Sequence, residues 1–111
     1  MADDEAVADI RGRVTSGQYE IDFEHVDYHI ASEGFTLDDV ESAVRTGEVI
    51  ETAPERDRWL FCGTVLTLRK DARFLNRWLH VIIERDADAD VTVVTAYRPD
   101  RRQWRTAQRR R

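Results

Sequence analysis

Apolar residues in the first third of the chain recur at helical spacing and predict three helices. The first runs from Asp3 to Thr15, and a short extended piece at residues 19–22 separates it from a second helix of about ten residues. The third helix begins at Thr36, whose side chain caps it together with Asp39 at the N3 position. A glycine follows each helix, and the apolar stripes are Val7, Ile10 and Val14, then Phe23, Val26 and Ile30, then Leu37, Val40 and Val44.

After Gly47 the spacing of apolar residues changes from helical to extended. Four strands are predicted, at residues 48–52, 58–68, 78–84 and 91–97. Helices followed by strands with short connections indicate an α+β domain, with the N-terminal helices packed on one face of a four-stranded, largely antiparallel sheet. We expect three parts, namely an N-terminal helix in residues 1–18, a single α+β domain in residues 19–104 and an arginine-rich tail in residues 105–111.

The last two predicted strands place unusual residues on the outer side of this sheet. If residues 85–90 form the connecting loop, His80 pairs with Thr95 and Trp78 pairs with Tyr97. These four residues then lie on the face away from the helices, and the apolar face beneath the helices consists of Leu79, Val81, Ile83, Val94 and Ala96. The arginines expected near the outer face are Arg69, Arg77 and Arg98. This face therefore combines two aromatic residues and a histidine with nearby arginines, a composition that predicts a binding surface.

The net charge of −5 hides a strongly polarised chain. Of the 111 residues, 17 are basic and 22 acidic, but residues 1–57 hold 4 basic and 16 acidic residues (−12) whereas residues 58–111 hold 13 and 6 (+7). All the basic residues except Lys70 are arginines, which bind phosphates and carboxylates in bidentate geometry. The chain has no apolar run long enough to span a membrane and begins with acidic residues rather than a signal peptide, so we expect a cytoplasmic protein.

Three histidines are the strongest candidates for chemistry. His25 and His29 share one helix face, which suits a shared metal, two imidazoles facing a phosphodiester, or an ordinary place at the helix–sheet interface. His80 is either a hydrogen-bonded sheet residue or an acid–base group on the aromatic face, because imidazole titrates near neutral pH. The only further ligands are Cys62 and carboxylates without sequence-local pairing, so we expect no metal and no cofactor.

The C-terminal tail supplies a second basic element. Residues 101–111 hold arginines around Trp104 and no acidic residue. Trp104 and Arg105 are therefore candidates for contacts with RNA through stacking and charge. The alternatives are a disordered solubilising tail, or one that folds back on the acidic helices of its own or a neighbouring subunit, which makes a homo-oligomer one expected assembly.

Four segments together resemble a known family. His25 at the start of a helix is followed by GFTLDDVESAVRTGEVIE at 34–51, LHVII at 79–83 and VVTAYRPDRRQW at 93–104. This combination resembles the family catalogued as domain of unknown function number 4258. Where that family usually has two arginines on the helix, this chain has His29 and Glu33. The family is similar to the RelE/ParE toxin group, which implies two helices packed on an antiparallel sheet.

The resemblance also implies a function. Members of the RelE/ParE group act as ribonucleases or poison gyrase and are neutralised by an antitoxin, so RNA and a small antitoxin-like protein are the expected partners. Three hypotheses follow, namely a toxin-type ribonuclease that needs no metal, a non-catalytic RNA- or protein-binding module, and a self-associating protein. For the ribonuclease the catalytic candidates are His25, His80 and Tyr97, and the binding candidates are Arg69, Arg77, Trp78, Arg98, Trp104 and Arg105.

Overall fold

The computed structural model describes residues 2–68, 74–100, 104–106 and 108–110. Within these ranges the elements are α1 Ala2–Thr15, β1 Glu20–Ile21, α2 Phe23–Glu33, α3 Leu37–Thr46, β2 Glu48–Ala53, a 3-10 turn Pro54–Arg56, β3 Arg58–Leu68, β4 Phe74–Arg85, β5 Val91–Tyr97, β6 Trp104–Thr106 and β7 Arg109–Arg110. None of the described helices is both long and apolar enough to cross a membrane.

The ends of the second and third helices follow from local sequence. Gly34 adopts a left-handed backbone with φ of 75°, which only glycine reaches without strain, and its N–H donates to the carbonyl of Ile30. At the start of α3 the Thr36 hydroxyl accepts from the Asp39 N–H, and the Asp39 carboxylate accepts from the Thr36 N–H. The predicted cap is therefore confirmed.

The main sheet has five strands in the order β1-β5-β4-β3-β2. Strands β2 to β5 form an antiparallel meander, whereas β1 pairs with β5 in parallel through Glu20 with Thr92 and Ile21 with Val93. The α+β class is confirmed. The prediction of four strands was incomplete, because the short extended piece before α2 joins the sheet edge and makes the sheet mixed.

The three helices cover one face of this sheet. Phe61, Leu79, Val81, Ile83 and Val93 are fully buried there, together with the helix residues Ile10, Val14, Val26, Val40, Ala43 and Val44. Helix α3 packs closely on β3 at Gly63, which has no side chain. A Cβ at this position would come within 2.7 Å of the Ala43 Cα. Two stripe residues depart from the predicted pattern, since Phe23 is 66% exposed and Leu37 is 37% exposed.

The pairing of β4 with β5 differs from the predicted register. His80 lies opposite Tyr97, not Thr95, and Ile82 lies opposite Thr95. The difference arises because β5 begins opposite Arg85 and a bulge shifts the register between Ile82 and Ile83. As a result Val93, not Val94, joins Ala96 in the core.

Candidate nucleic-acid interface

The face of the sheet turned away from the helices, here called the outer face, holds several predicted site residues. Alternation along β4 places Trp78, His80 and Ile82 on this face, and Tyr97 joins them as the partner of His80. Trp78 is 44% exposed. It shares an open cleft of about 250 Å³, the Trp78 cleft, with Asn76, Arg77, Arg98 and Pro99. The structure therefore brings three of the predicted binding residues, Arg77, Trp78 and Arg98, around one opening.

The middle of the outer face is closed by the C-terminal segment. Residues 104–106 and 108–110 form a separate two-stranded hairpin, β6 with β7, which we call the strap. Trp104 is 2% exposed, and its ring meets the His80 ring edge-on at a centroid distance of 4.4 Å. His80 is fully buried as a result. The predicted acid–base group thus lies beneath the tail rather than on an open surface.

Arg110 fixes the strap to the sheet. Its guanidinium lies 4.4 Å from the centre of the Trp104 ring and donates to both carboxylate oxygens of Glu51, at 3.1 and 2.9 Å. Its positive charge also lies close enough to the Tyr97 hydroxyl of β5 to lower the pKa of that group, against the larger rise that burial causes. The tail therefore folds back on the outer face of its own sheet, through a carboxylate from β2, rather than on the acidic helices.

His80 and Tyr97 form a polar pair under the strap. Their rings meet edge-on at a centroid distance of 5.3 Å, and His80 Nδ1 lies 3.4 Å from the Tyr97 hydroxyl. Burial raises the pKa of Tyr97, and the nearby positive charge of Arg110 opposes this only in part. The phenol therefore keeps its proton at neutral pH.

Helix α2 contributes a second histidine to the Tyr97 side. The His29 ring lies 6.3 Å from the Tyr97 ring, and His29 Nδ1 is bonded to a Glu33 carboxylate oxygen at 2.5 Å. The other Glu33 oxygen accepts from the Arg98 N–H at 3.0 Å, and the Glu33 carbonyl accepts from the Arg98 guanidinium at 3.3 Å. Glu33 therefore positions Arg98 at the Trp78 cleft. It occupies a position where the family that this chain resembles usually has arginine.

The remaining predicted residues lie elsewhere. His25 is an exposed residue of the first turns of α2 and is hydrogen-bonded to Asp22 at 2.9 Å. Arg105 lies in β6 next to Trp104. Arg69 is outside the described residues. Among the residues that the structure describes, no three His, Cys, Asp or Glu side chains are grouped to hold a metal ion.

The chain matches a known protein family. The family model described as a domain of unknown function (DUF4258) matches residues 23–98. The chain belongs to this family. No curated protein and no solved structure gives a significant match.

The DUF4258 match divides the candidate interface in two. It includes all the lining residues of the Trp78 cleft except Pro99, together with His80 and Tyr97. It ends before Trp104 and Arg110, so the strap lies beyond the matched residues. Helix α1 also lies outside the match, although Ile10 and Val14 are fully buried in the core.

Sequence reasoning named Cys62 only as a possible metal ligand and missed its position, which is opposite His80 across β3 and β4 at 2% exposure. Burial, and to a smaller extent the charge of Glu48, raise the pKa of its thiol to about 11. A signal was present, because both alternating sets of β3 are apolar at its centre, with Leu60 and Cys62 on one side and Trp59 and Phe61 on the other. That pattern is typical of a strand covered on both faces.

Proposed function

We propose that this DUF4258 protein is a RelE/ParE-like domain that binds single-stranded RNA at the Trp78 cleft. The proposal depends mainly on one observation, which is that Arg77, Trp78 and Arg98 surround a single open cleft. An exposed aromatic side chain offers a stacking surface for a base, and neighbouring guanidinium groups bind the phosphates.

The surrounding fold supports the RelE/ParE-like part of the proposal. Helices α2 and α3 pack on one face of the antiparallel strands β2 to β5, in the arrangement that the resemblance implied. On the opposite face none of the described helices lies over Trp78, which is 44% exposed at the end of the sheet, so an extended strand of RNA has access to the Trp78 cleft. RNA rather than another polyanion is proposed because ribonucleases occur in the group that the chain resembles.

Binding is tested by the fluorescence anisotropy of a labelled 2′-O-methyl decauridylate, which cannot be cleaved through its 2′-oxygen. Trp78→Ala should weaken binding about tenfold, because base stacking on an aromatic side chain contributes roughly 1–3 kcal/mol. Arg98→Gln should weaken it less and should reduce the salt dependence of binding.

Matched controls come from the helical side of the molecule. Phe23→Ala removes an aromatic residue that is 66% exposed on α2, and Arg45→Gln removes an exposed arginine of α3. Both variants should bind like the unmodified protein. Equal affinity for all five proteins would refute the Trp78 cleft as the binding site.

A second candidate function is cleavage of the bound RNA, which the closeness of His80 and Tyr97 favours. In this reaction the 2′-oxygen attacks phosphorus while His80 takes its proton, and the bond to the leaving 5′-oxygen breaks as Tyr97 protonates that oxygen. The products are a 2′,3′-cyclic phosphate and a free 5′-hydroxyl. Because His80 is fully buried beneath Trp104, the strap must leave the outer face first.

Cleavage is tested with an unmodified oligoribonucleotide that carries a fluorophore and a quencher. The unmodified protein should cleave slowly, Trp104→Ala should cleave faster, and Trp104→Ala combined with His80→Gln should be inactive. Absence of cleavage by Trp104→Ala, in a preparation that still binds RNA, would leave the protein as a binding module only.

A further inference from the structure

A second basic cleft lies at the other end of the outer face. This cleft of about 220 Å³, called the Arg56 cleft, has Leu60 and Ile82 among its walls. Its charged lining residues are Arg56 from the 3-10 turn, Arg58 from the start of β3, Arg110 from the strap and Glu51 from β2. Three arginines and one glutamate give it a formal charge of +2.

The charges of this cleft are only partly compensated. Glu51 is held by Arg110 through two hydrogen bonds, so its carboxylate does not face the cleft as an isolated negative charge. Arg58 uses its Nε for Glu84 at 3.3 Å and keeps its terminal nitrogens as further donors. Arg56 is exposed and forms no ion pair with any described residue. An anion entering the cleft therefore meets guanidinium donors that form no hydrogen bond to the described part of the chain.

The two clefts are bordered by residues of β4 that share the outer face. Trp78 borders the first cleft and Ile82 borders the second, with His80 between them on β4. Four residues of strand correspond to about 14 Å. Even at the stacked spacing of about 3.4 Å per nucleotide, an RNA of ten nucleotides is longer than this distance. A dinucleotide has a single phosphodiester and occupies one cleft at a time.

The geometry points to the Arg56 cleft as a phosphate-binding subsite for the same RNA strand that enters the Trp78 cleft. This inference rests on the proposed function and adds to it the path of the strand, which crosses the outer face along β4 and over the strap. The Trp78 cleft takes a base and its phosphate, and the Arg56 cleft takes a phosphate further along the strand.

The experiment measures the affinity and salt dependence of Arg56→Gln for two ligands, the 2′-O-methyl decauridylate and the corresponding dinucleotide. Arg56→Gln should weaken decanucleotide binding several-fold and reduce the slope of log K against log salt by about 0.7, which is the contribution of one phosphate contact on a single strand. Binding of the dinucleotide, which favours the aromatic Trp78 cleft, should be unchanged. Arg45→Gln, with the same loss of charge on α3, is the matched control and should change neither value.

The outcomes separate this inference from the proposed function. If the unmodified protein binds neither ligand, the proposed function fails. If it binds both, and Trp78→Ala weakens binding while Arg56→Gln leaves the decanucleotide affinity and salt slope unchanged, only the second subsite is refuted. Equal losses in Arg56→Gln and Arg45→Gln would also refute it, because they would show a general effect of net charge.

Discussion

The two faces of the sheet are buried in different ways. The helix-covered face is entirely apolar at its centre, with Phe61, Leu79 and Val81 packed against three helices. The outer face is closed at its centre by one tryptophan of a short hairpin, which covers His80. Beyond this cover its residues Trp78 and Ile82 each border a cleft lined by arginines. The comparison indicates that the first face supplies the stability of the fold and that the second holds the groups available for binding and chemistry.

The largest expected effect belongs to the helix-covered face. Phe61→Ala should lower the free energy of unfolding by about 4 kcal/mol, because it removes a fully buried ring and leaves a cavity between sheet and helices. Phe23→Ala makes the same chemical change at a site that is 66% exposed and should cost less than about 0.5 kcal/mol. Urea unfolding measures both values. Similar losses in the two variants would contradict the assignment of the core to this face.

A smaller loss is expected when the cover of the outer face is removed. Trp104→Ala should cost about 3 kcal/mol, since the ring is buried but belongs to a two-stranded hairpin outside the main sheet. Cys62 should then react faster with a thiol reagent, because it lies on the same face beside His80.

Trp104→Phe is the control for this variant. The indole N–H of Trp104 has no hydrogen-bond acceptor among the described residues, so phenylalanine loses no partner and should keep both stability and a protected thiol. A thiol that stays equally protected in Trp104→Ala would contradict the covering role of the strap.

The Cys62 thiol also makes the free energy of unfolding depend on pH. Because the pKa of Cys62 is raised to about 11 from 9.0, folding favours the protonated form. This contribution is complete below pH 9 and is lost as the pH rises toward 11. Between about pH 8 and about pH 11 the unmodified protein should therefore lose about 2 kcal/mol more stability than Cys62→Ala. Equal losses in urea unfolding would show that the thiol is not held in an apolar setting.

The smallest effect is expected at the ion pair that fixes the strap. Glu51 and Arg110 have side chains that are 38% and 49% exposed, so Glu51→Gln should lower the free energy of unfolding by only about 0.5 kcal/mol. Glu55→Gln, at an exposed position nearby, is the control and should have no effect. A loss above about 2 kcal/mol would show that this pair, rather than Trp104, holds the strap.

Local patterns in the sequence were sufficient for much of the fold. The bounds of β3 and β5 were predicted to the residue, because strand alternation and the adjoining turns are local signals. The α3 cap was predicted for the same reason. The bulge in β5 was not predicted, because Val93 and Val94 are the same residue type and either side chain could lie in the core. Packing between distant segments decides which valine is buried.

The candidate site was predicted only in part. Arg77, Trp78 and Arg98 were chosen from an assumed register, and they meet although that register was wrong, because all three lie at the same end of β4 and β5. A tail that folds back on its own chain was one of the alternatives, but its hairpin form and its place on the sheet escaped prediction, since an arginine-rich tail has no apolar periodicity and its position depends on a distant carboxylate, Glu51. The Arg56 cleft escaped as well, because it is assembled from five elements, namely β2, the 3-10 turn, β3, β4 and the strap.

The most direct test follows backbone amide and indole N–H signals by NMR while 2′-O-methyl decauridylate is added to the 111-residue protein. We predict that the largest shifts occur at Asn76, Trp78 and Arg98, with smaller shifts at Arg56, and that α3 signals stay in place. Shifts confined to the helices, or none at concentrations where anisotropy reports binding, would contradict the outer face as the RNA-binding surface.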